Sequence, residues 1–166
     1  GGKGSGFYKS LDGGNTWKNI SNSLPKDQVV SLIFDKGNSD ILYAFLKESG
    51  VWRYRYKEDK IIDDKEPWEK VSKLEKSLLI NCATPSESNY DEILVGTDNN
   101  GLYKYNIKSS ELTKVESFEY SSRVSCIATS AKEKNTILLG LPGRGCVKST
   151  NDGSSWNLIN NGLNAI

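Results

Sequence analysis

An all-β fold of repeated four-stranded antiparallel sheets is predicted by three features of the sequence. First, four short segments recur: Gly6-Phe7-Tyr8-Lys9-Ser10, Gly50-Val51-Trp52-Arg53-Tyr54, Gly101-Leu102-Tyr103-Lys104-Tyr105 and Gly145-Cys146-Val147-Lys148-Ser149. Each is a glycine, two apolar or aromatic residues, a base, then Ser or Tyr. Second, their glycines lie 44, 51 and 44 residues apart, close to the roughly 40–50-residue period of blade-type repeats. Third, the flanking apolar runs are short, rich in Val, Ile, Leu, Tyr and Trp, and split by Gly, Asn, Asp and Ser turns, whereas helical period is almost absent. Radial repetition of four-stranded sheets is a β-propeller, and about three and a half blades fit the 166 residues.

Each repeat reads as strands A to D. Strand A is expected at Val29–Phe34, Leu78–Ala83 and Val124–Thr129, and strand B at Ile41–Leu46, Ile93–Thr97 and Thr136–Leu141. Strand C is the glycine-led segment. A shorter strand D is expected near Trp17–Ile20, Trp68–Val71, Leu112–Val115 and Trp156–Ile159. The blades then run 25–73, 74–118 and 119–161, after a partial blade 1–24 and before the start of another at 162–166. Gly1–Gly6 aligns with Gly140–Gly145, so the glycine-rich start reads as the end of a strand B rather than a phosphate loop, which needs a different spacing after a strand.

Composition removes several functions. The net charge is +1, from 22 basic and 21 acidic residues, without the basic excess that nucleic-acid binding uses. No apolar run approaches the ~18 residues of a membrane span. With no histidine, Ser–His–Asp and Cys–His catalysis and His-ligated metals are absent from this chain. Cys82, Cys126 and Cys146 make neither a disulfide framework nor a zinc motif, and read as small buried thiols in strands. No cofactor is expected. The lack of methionine and of a signal-type h-region suggests a processed chain or a piece of something longer.

Ser10-Leu11-Asp12-Gly13-Gly14-Asn15-Thr16-Trp17 reads S-x-D-x-G-x-T-W, and Ser149-Thr150-Asn151-Asp152-Gly153-Ser154-Ser155-Trp156 repeats it with Asn151 for Asp and Ser155 for Thr. Both follow strand C at the same offset. The pattern resembles the Asp-box (BNR) signature of sialidases, xyloglucanase-type glycosidases, sortilin-type receptor domains and photosystem-assembly-factor-like propellers. The two middle repeats lack it: one carries the charged insertion Arg55–Pro67, the other a plain hairpin at Asn106–Glu111. Chemically, an Asp in a tight turn accepts hydrogen bonds from nearby backbone amides. Gly14 and Gly153 supply positive φ, and Trp17 and Trp156 are expected to bury area between blades. Ser10, Asp12, Gly14, Thr16, Trp17, Ser149, Asn151, Gly153, Ser155 and Trp156 are therefore read as scaffold rather than active site.

The resemblance implies that B–C and D–A loops line the ligand face. Glu48, the run Asp98-Asn99-Asn100, and Arg144 occupy equivalent B–C loops and are the candidate ligand residues, against the plainer reading of Asn and Asp before Gly as turn formers. Lys9, Arg53, Lys104 and Lys148 form a basic column on strand C, read as long stems packed between blades. Asn19-Ile20-Ser21 is a lone glycosylation sequon. No catalytic residue is assigned. The sialidase Arg-Ile-Pro motif is missing, and only Arg53, Arg55, Arg123 and Arg144 are available for an arginine triad. The expected function is a non-catalytic binding or scaffolding segment for a protein or glycan. The alternative is part of a glycoside hydrolase whose paired carboxylates are incomplete here. The expected partners are further blades of a longer parent, or a second copy, that close the ring. Core-facing Phe7, Tyr8, Val29 and Ile33 would otherwise meet water. An extracytoplasmic or secreted setting is expected.

Overall fold

The computed structural model describes residues 6–21, 23–55, 68–72, 78–120 and 122–163; the expectations for Gly1–Ser5, for most of the 55–67 insertion and for 164–166 lie outside them. Strands β1 (Tyr8–Lys9) and β2 (Lys18–Asn19) form a two-stranded sheet. The second sheet is β3 (Val29–Phe34), β4 (Ile41–Leu46), β5 (Gly50–Arg55) and β6 (Glu69–Lys70). The third is β7 (Ile80–Pro85), β8 (Glu92–Thr97), β9 (Leu102–Asn106) and β10 (Leu112–Lys114). The fourth is β11 (Cys126–Thr129), β12 (Ile137–Leu141), β13 (Gly145–Ser149) and β14 (Asn157–Leu158). Every pairing is antiparallel between sequence neighbours, so each four-stranded sheet is an A-B-C-D meander, and the described residues carry three such sheets and one with the equivalents of C and D, an arrangement consistent with partial propeller blades. No helix among the described residues is long and apolar enough to cross a membrane.

The recurrent glycine has a physical cause. Gly50, Gly101 and Gly145 take φ of 85°, 79° and 85°, a left-handed conformation that lets the B–C turn close at little steric cost. The register then repeats: Leu42 faces Tyr54 in the second sheet, as Ile93 faces Tyr105 in the third. The A–B pairing slips at the same place in both sheets, between Val29 and Ser31 and between Ile80 and Cys82.

Successive sheets stack face to face. Ile33, Tyr43, Phe45 and Val51 of the second sheet form one core cluster with Ile80, Ala83, Ile93, Val95 and Tyr105 of the third. Leu94 and Leu102 of the third turn the other way, onto Ile137, Leu139, Leu141 and Val147 of the fourth and Val124 just before it. This is period-two alternation on a strand covered on both faces. The first strands stand side by side: Ala83 N donates to Ser31 Oγ at 3.0 Å, and Thr84 Oγ1 to Ile127 O at 3.2 Å.

Three expectations are corrected here. Ile33 is buried and Val29 half-buried, because Ile33 points at the third sheet; Leu32 and Phe34 point the other way and are 52% and 61% exposed. Trp17 is 62% exposed, because no sheet covers its side among the described residues. Cys126 is exposed rather than buried, lying on the uncovered face of the fourth sheet, whereas Cys82 and Cys146 are partly covered. Cys82 sits opposite Gly96, where a Cβ would come within 2.6 Å of its Sγ. Burial pushes the Cys82 thiol up to about 11, so it fills space rather than reacting.

Candidate functional site

The two box turns superimpose in their hydrogen bonding. In the first, Gly14 N donates to Ser10 Oγ at 2.7 Å, Ser10 Oγ donates to Asp12 Oδ1 at 2.8 Å, and Thr16 N donates to the same oxygen at 2.9 Å. In the second, Gly153 N donates to Ser149 Oγ, Ser149 Oγ to Asn151 Oδ1, and Ser155 N to Asn151 Oδ1, each at 2.9 Å. One bond reverses direction. Thr16 Oγ1 donates to Asp12 Oδ2 at 2.6 Å, whereas Asn151 Nδ2 donates to Ser155 Oγ at 2.9 Å. The residue at the Asp position thus spends its side chain on its own turn in both copies.

Those donors act on Asp12's titration. The Thr16 hydroxyl, then the Thr16 amide and the Ser10 hydroxyl, stabilise the carboxylate and hold its pKa at about 2. A folded pKa below the unfolded one contributes stability above the unfolded value of ~3.9, lost as pH falls through the folded value. The turn is therefore expected to loosen as pH falls from about 4 through about 2. An Asp12→Asn variant, which imitates the second turn, should keep the fold and lose this acid sensitivity. Carboxyl NMR titration checks it: an Asp12 midpoint near 4 would show that the bonds do not form.

The tryptophans that end the turns differ. Trp17 Nε1 donates to Gly14 O at 2.9 Å. In the second turn the matching carbonyl, Gly153 O, instead accepts from Ser117 Oγ of the preceding sheet. Trp156 Nε1 is left buried without a hydrogen-bond partner among the described residues, while its ring packs edge-on against Phe118 at 5.2 Å. Beside this turn, Asp152 adopts a φ of 55°. It is held by Ser88 Oγ at 2.6 Å and Lys104 Nζ at 2.6 Å, and Lys104 also reaches Glu92 at 3.2 Å. Lys104 of the basic column is thus an inter-sheet clamp. Arg53 of the same column pairs with Glu69 at 2.6 Å.

The three B–C loops sit at the same end of successive sheets, where strand A begins. Each is built locally. Asp27 accepts from the Glu48 and Ser49 amides at 2.8 and 2.7 Å; these bonds outweigh partial desolvation and lower its pKa. Asp98 Oδ1 accepts from Asn81 Nδ2 at 3.1 Å and faces Arg123 Nε at 3.2 Å, so it is engaged within its own blade junction. Asn100 N donates to Thr97 Oγ1 at 3.1 Å, and Asn99 is exposed. Arg144 lies over the Tyr120 ring, 5.8 Å from its centroid. No hydrogen bond or ion pair among the described residues joins Glu48, Asp98 and Arg144 to one another. The sequence reading missed the segment Ser117–Tyr120, which enters the site region by crossing to the next sheet; Arg144 was the single local signal toward it.

No family model matches the chain, and no curated protein matches it. Among solved structures it is similar to the extracellular domain of BT4673 from B. thetaiotaomicron, with TM-score 0.66 and 19% identity over 93% of this chain and 20% of that one. It is similar to the GH74 enzyme of Niastella koreensis (TM-score 0.65, 16% identity, 92% of this chain and 26% of that one). It also resembles the GH74 xyloglucanase of Xanthomonas campestris (TM-score 0.67, 11% identity, 93% and 27%). At such identities the likeness is one of fold. The chain spans about a fifth to a quarter of the length of these proteins.

Proposed function

We propose that this chain is a carbohydrate-binding segment of an Asp-box propeller, recognising a glycan with the B–C loop end of its blades and working outside the cytoplasm as part of a larger ring. The observation that carries the reading is the division of labour between the two ends. The side chains of Asp12 and Asn151 are used within their own turns, whereas the B–C loops are set on rigid strands and keep Asn99 and the Arg144 guanidinium open to solvent. Rigid scaffolds with polar loops at one end are where binding sites concentrate. The best-placed carboxylates at that end, Asp27 and Asp98, already hold backbone amides, an asparagine and an arginine, which favours binding over acid–base work.

The likeness to GH74 enzymes supports a second reading, a glycoside hydrolase whose acid and base lie in different blades. A glycan array together with a hydrolysis screen on β-glucans, run on the longest available form of the protein, separates the two. Under the first reading, Asn99→Ala with Asn100→Ala weakens glycan binding by about tenfold at unchanged melting temperature. Turnover abolished by a single carboxylate substitution in these blades would overturn it in favour of the hydrolase.

A further inference from the structure

Between the third and fourth sheets lies a recess of about 570 Å³ lined by Ser117, Glu119, Tyr120, Arg144, Ser155 and Trp156, with Ser154 beside them. It adjoins the outer side of the second box turn, from which Ser155 and Trp156 come, and shares with the B–C loop candidates Arg144 alone. We propose that this recess is a saccharide subsite that seats one neutral pyranose ring. The inference rests on the glycan-binding reading above and gives that reading a definite place and ligand class.

Four features point to a neutral polyhydroxylated ring. The aromatic walls are fixed: Phe118 is buried behind them, 5.2 Å from the Tyr120 ring and 5.2 Å from the Trp156 ring. Tyr120 and Trp156 are each only partly covered, so each keeps open surface for the C–H face of a sugar. Arg144 has no carboxylate partner among the described residues, and its guanidinium is parked on the Tyr120 ring; five N–H donors therefore stand ready beside an aromatic platform. Glu119 is exposed on the same rim. A donor-only arginine and an acceptor-only carboxylate on one rim suit vicinal hydroxyls, which both accept and donate. A phosphate, sulfate or uronate would be attracted by Arg144 and repelled by Glu119.

The wall differs in its bonding from the first turn. Ser117 donates to the carbonyl that matches the one the tryptophan uses in the first turn, and Trp156 Nε1 is a buried donor lacking an acceptor among the described residues. Buried orphan donors are rare and costly in a finished structure. Here the Ser117–Gly153 bond ties the Ser117–Tyr120 segment to the second box turn beside the recess. The volume falls within the range of small-ligand pockets of ~300–1,000 Å³.

Titration of the full chain with cellohexaose and xyloglucan oligosaccharides, followed by tryptophan fluorescence and by NMR of the Arg144 side chain, tests the assignment. Tri-galacturonate serves as the anionic comparison. Neutral oligosaccharides should bind and perturb both signals. Tyr120→Ala and Arg144→Ala should each lower the affinity by about tenfold or more, with melting temperature unchanged. Neutral sugars that bind equally well to both variants, but not to the Asn99→Ala, Asn100→Ala variant, would overturn the recess while leaving the glycan-binding reading intact. Binding of tri-galacturonate alone would overturn the neutral-ring assignment. Absence of binding to any glycan would overturn both. Should Tyr120→Ala melt early, Tyr120→Phe with Glu119→Gln keeps the ring and isolates the rim: unchanged neutral-sugar affinity in that variant overturns the role of Glu119, and tri-galacturonate binding as tightly as the neutral sugars overturns the choice of a neutral ring.

Discussion

Tyr105→Ala is expected to destabilise the fold by about 3–5 kcal/mol, the usual cost of removing a buried aromatic side chain. Tyr105 is fully buried at the centre of the junction between the second and third sheets. Its ring meets Tyr43 at 6.2 Å and Phe45 at 6.0 Å, both edge-on, and such pairs add about 0.5–1.5 kcal/mol beyond their area. The cavity cannot collapse easily, because its walls are strands locked in two separate hydrogen-bonded sheets. A fall in melting temperature of about 6–20 °C should follow for a chain of this size. Tyr105→Phe, which keeps the ring, should cost below about 1.5 kcal/mol. Calorimetry of both variants checks the prediction; equal small losses would show that the sheets do not rely on this junction.

That junction shows how far the sequence could be read. Tyr105 closes one of the four glycine-led segments, and the repeat alone assigned it to strand C. The box turns were also legible, because the bonds among their own Ser, Asp or Asn, Gly and Thr or Ser residues join positions within four. The phase of alternation was not. Val29-Val30-Ser31-Leu32-Ile33-Phe34 is apolar at almost every position, so period two gives no clue to which side meets the next sheet; the A–B slip at Ser31 helps to set it. The Lys104–Asp152 clamp and the Ser117–Gly153 bond join positions 48 and 36 residues apart. Nothing in local composition announces such pairs. The recess escaped notice for the same reason: Ser117–Tyr120 carries no repeat signature and acquires its place only by crossing between sheets.

Completing the first sheet is expected to have an effect of comparable size and opposite sign. Tyr8, Trp17, Leu32, Phe34 and Leu42 line an open trough of about 460 Å³, with Phe7, Ile20 and Tyr54 at its base. The repeats themselves show what belongs there. Leu42 and Tyr54 occupy the positions of Ile93 and Tyr105, and the latter pair is covered by Ile33, Tyr43 and Phe45, all from strands A and B of the preceding sheet. Among the described residues the first sheet brings only the equivalents of C and D, so β1 pairs there on one edge alone, and an unpaired edge beside apolar surface invites strand addition. We therefore expect the trough to be filled by two antiparallel strands supplied by further chain. Fusing a second copy of residues 119–144, which contain β11 and β12, ahead of Gly6 reproduces the spacing at which those strands precede Gly145. Four large side chains left half in water forgo on the order of 1–2 kcal/mol each, about 4–8 in all. After the entropy of ordering the added strands, the fusion should still melt about 10 °C higher. Iodide quenching of Trp17, read in a variant with Trp52, Trp68 and Trp156 replaced by Phe, should fall sharply. Concentration-dependent association of the unfused chain, seen by light scattering, should disappear on fusion. An unfused chain that stays monomeric, with melting temperature and Trp17 quenching unchanged by the added strands, would show that the trough needs no cover.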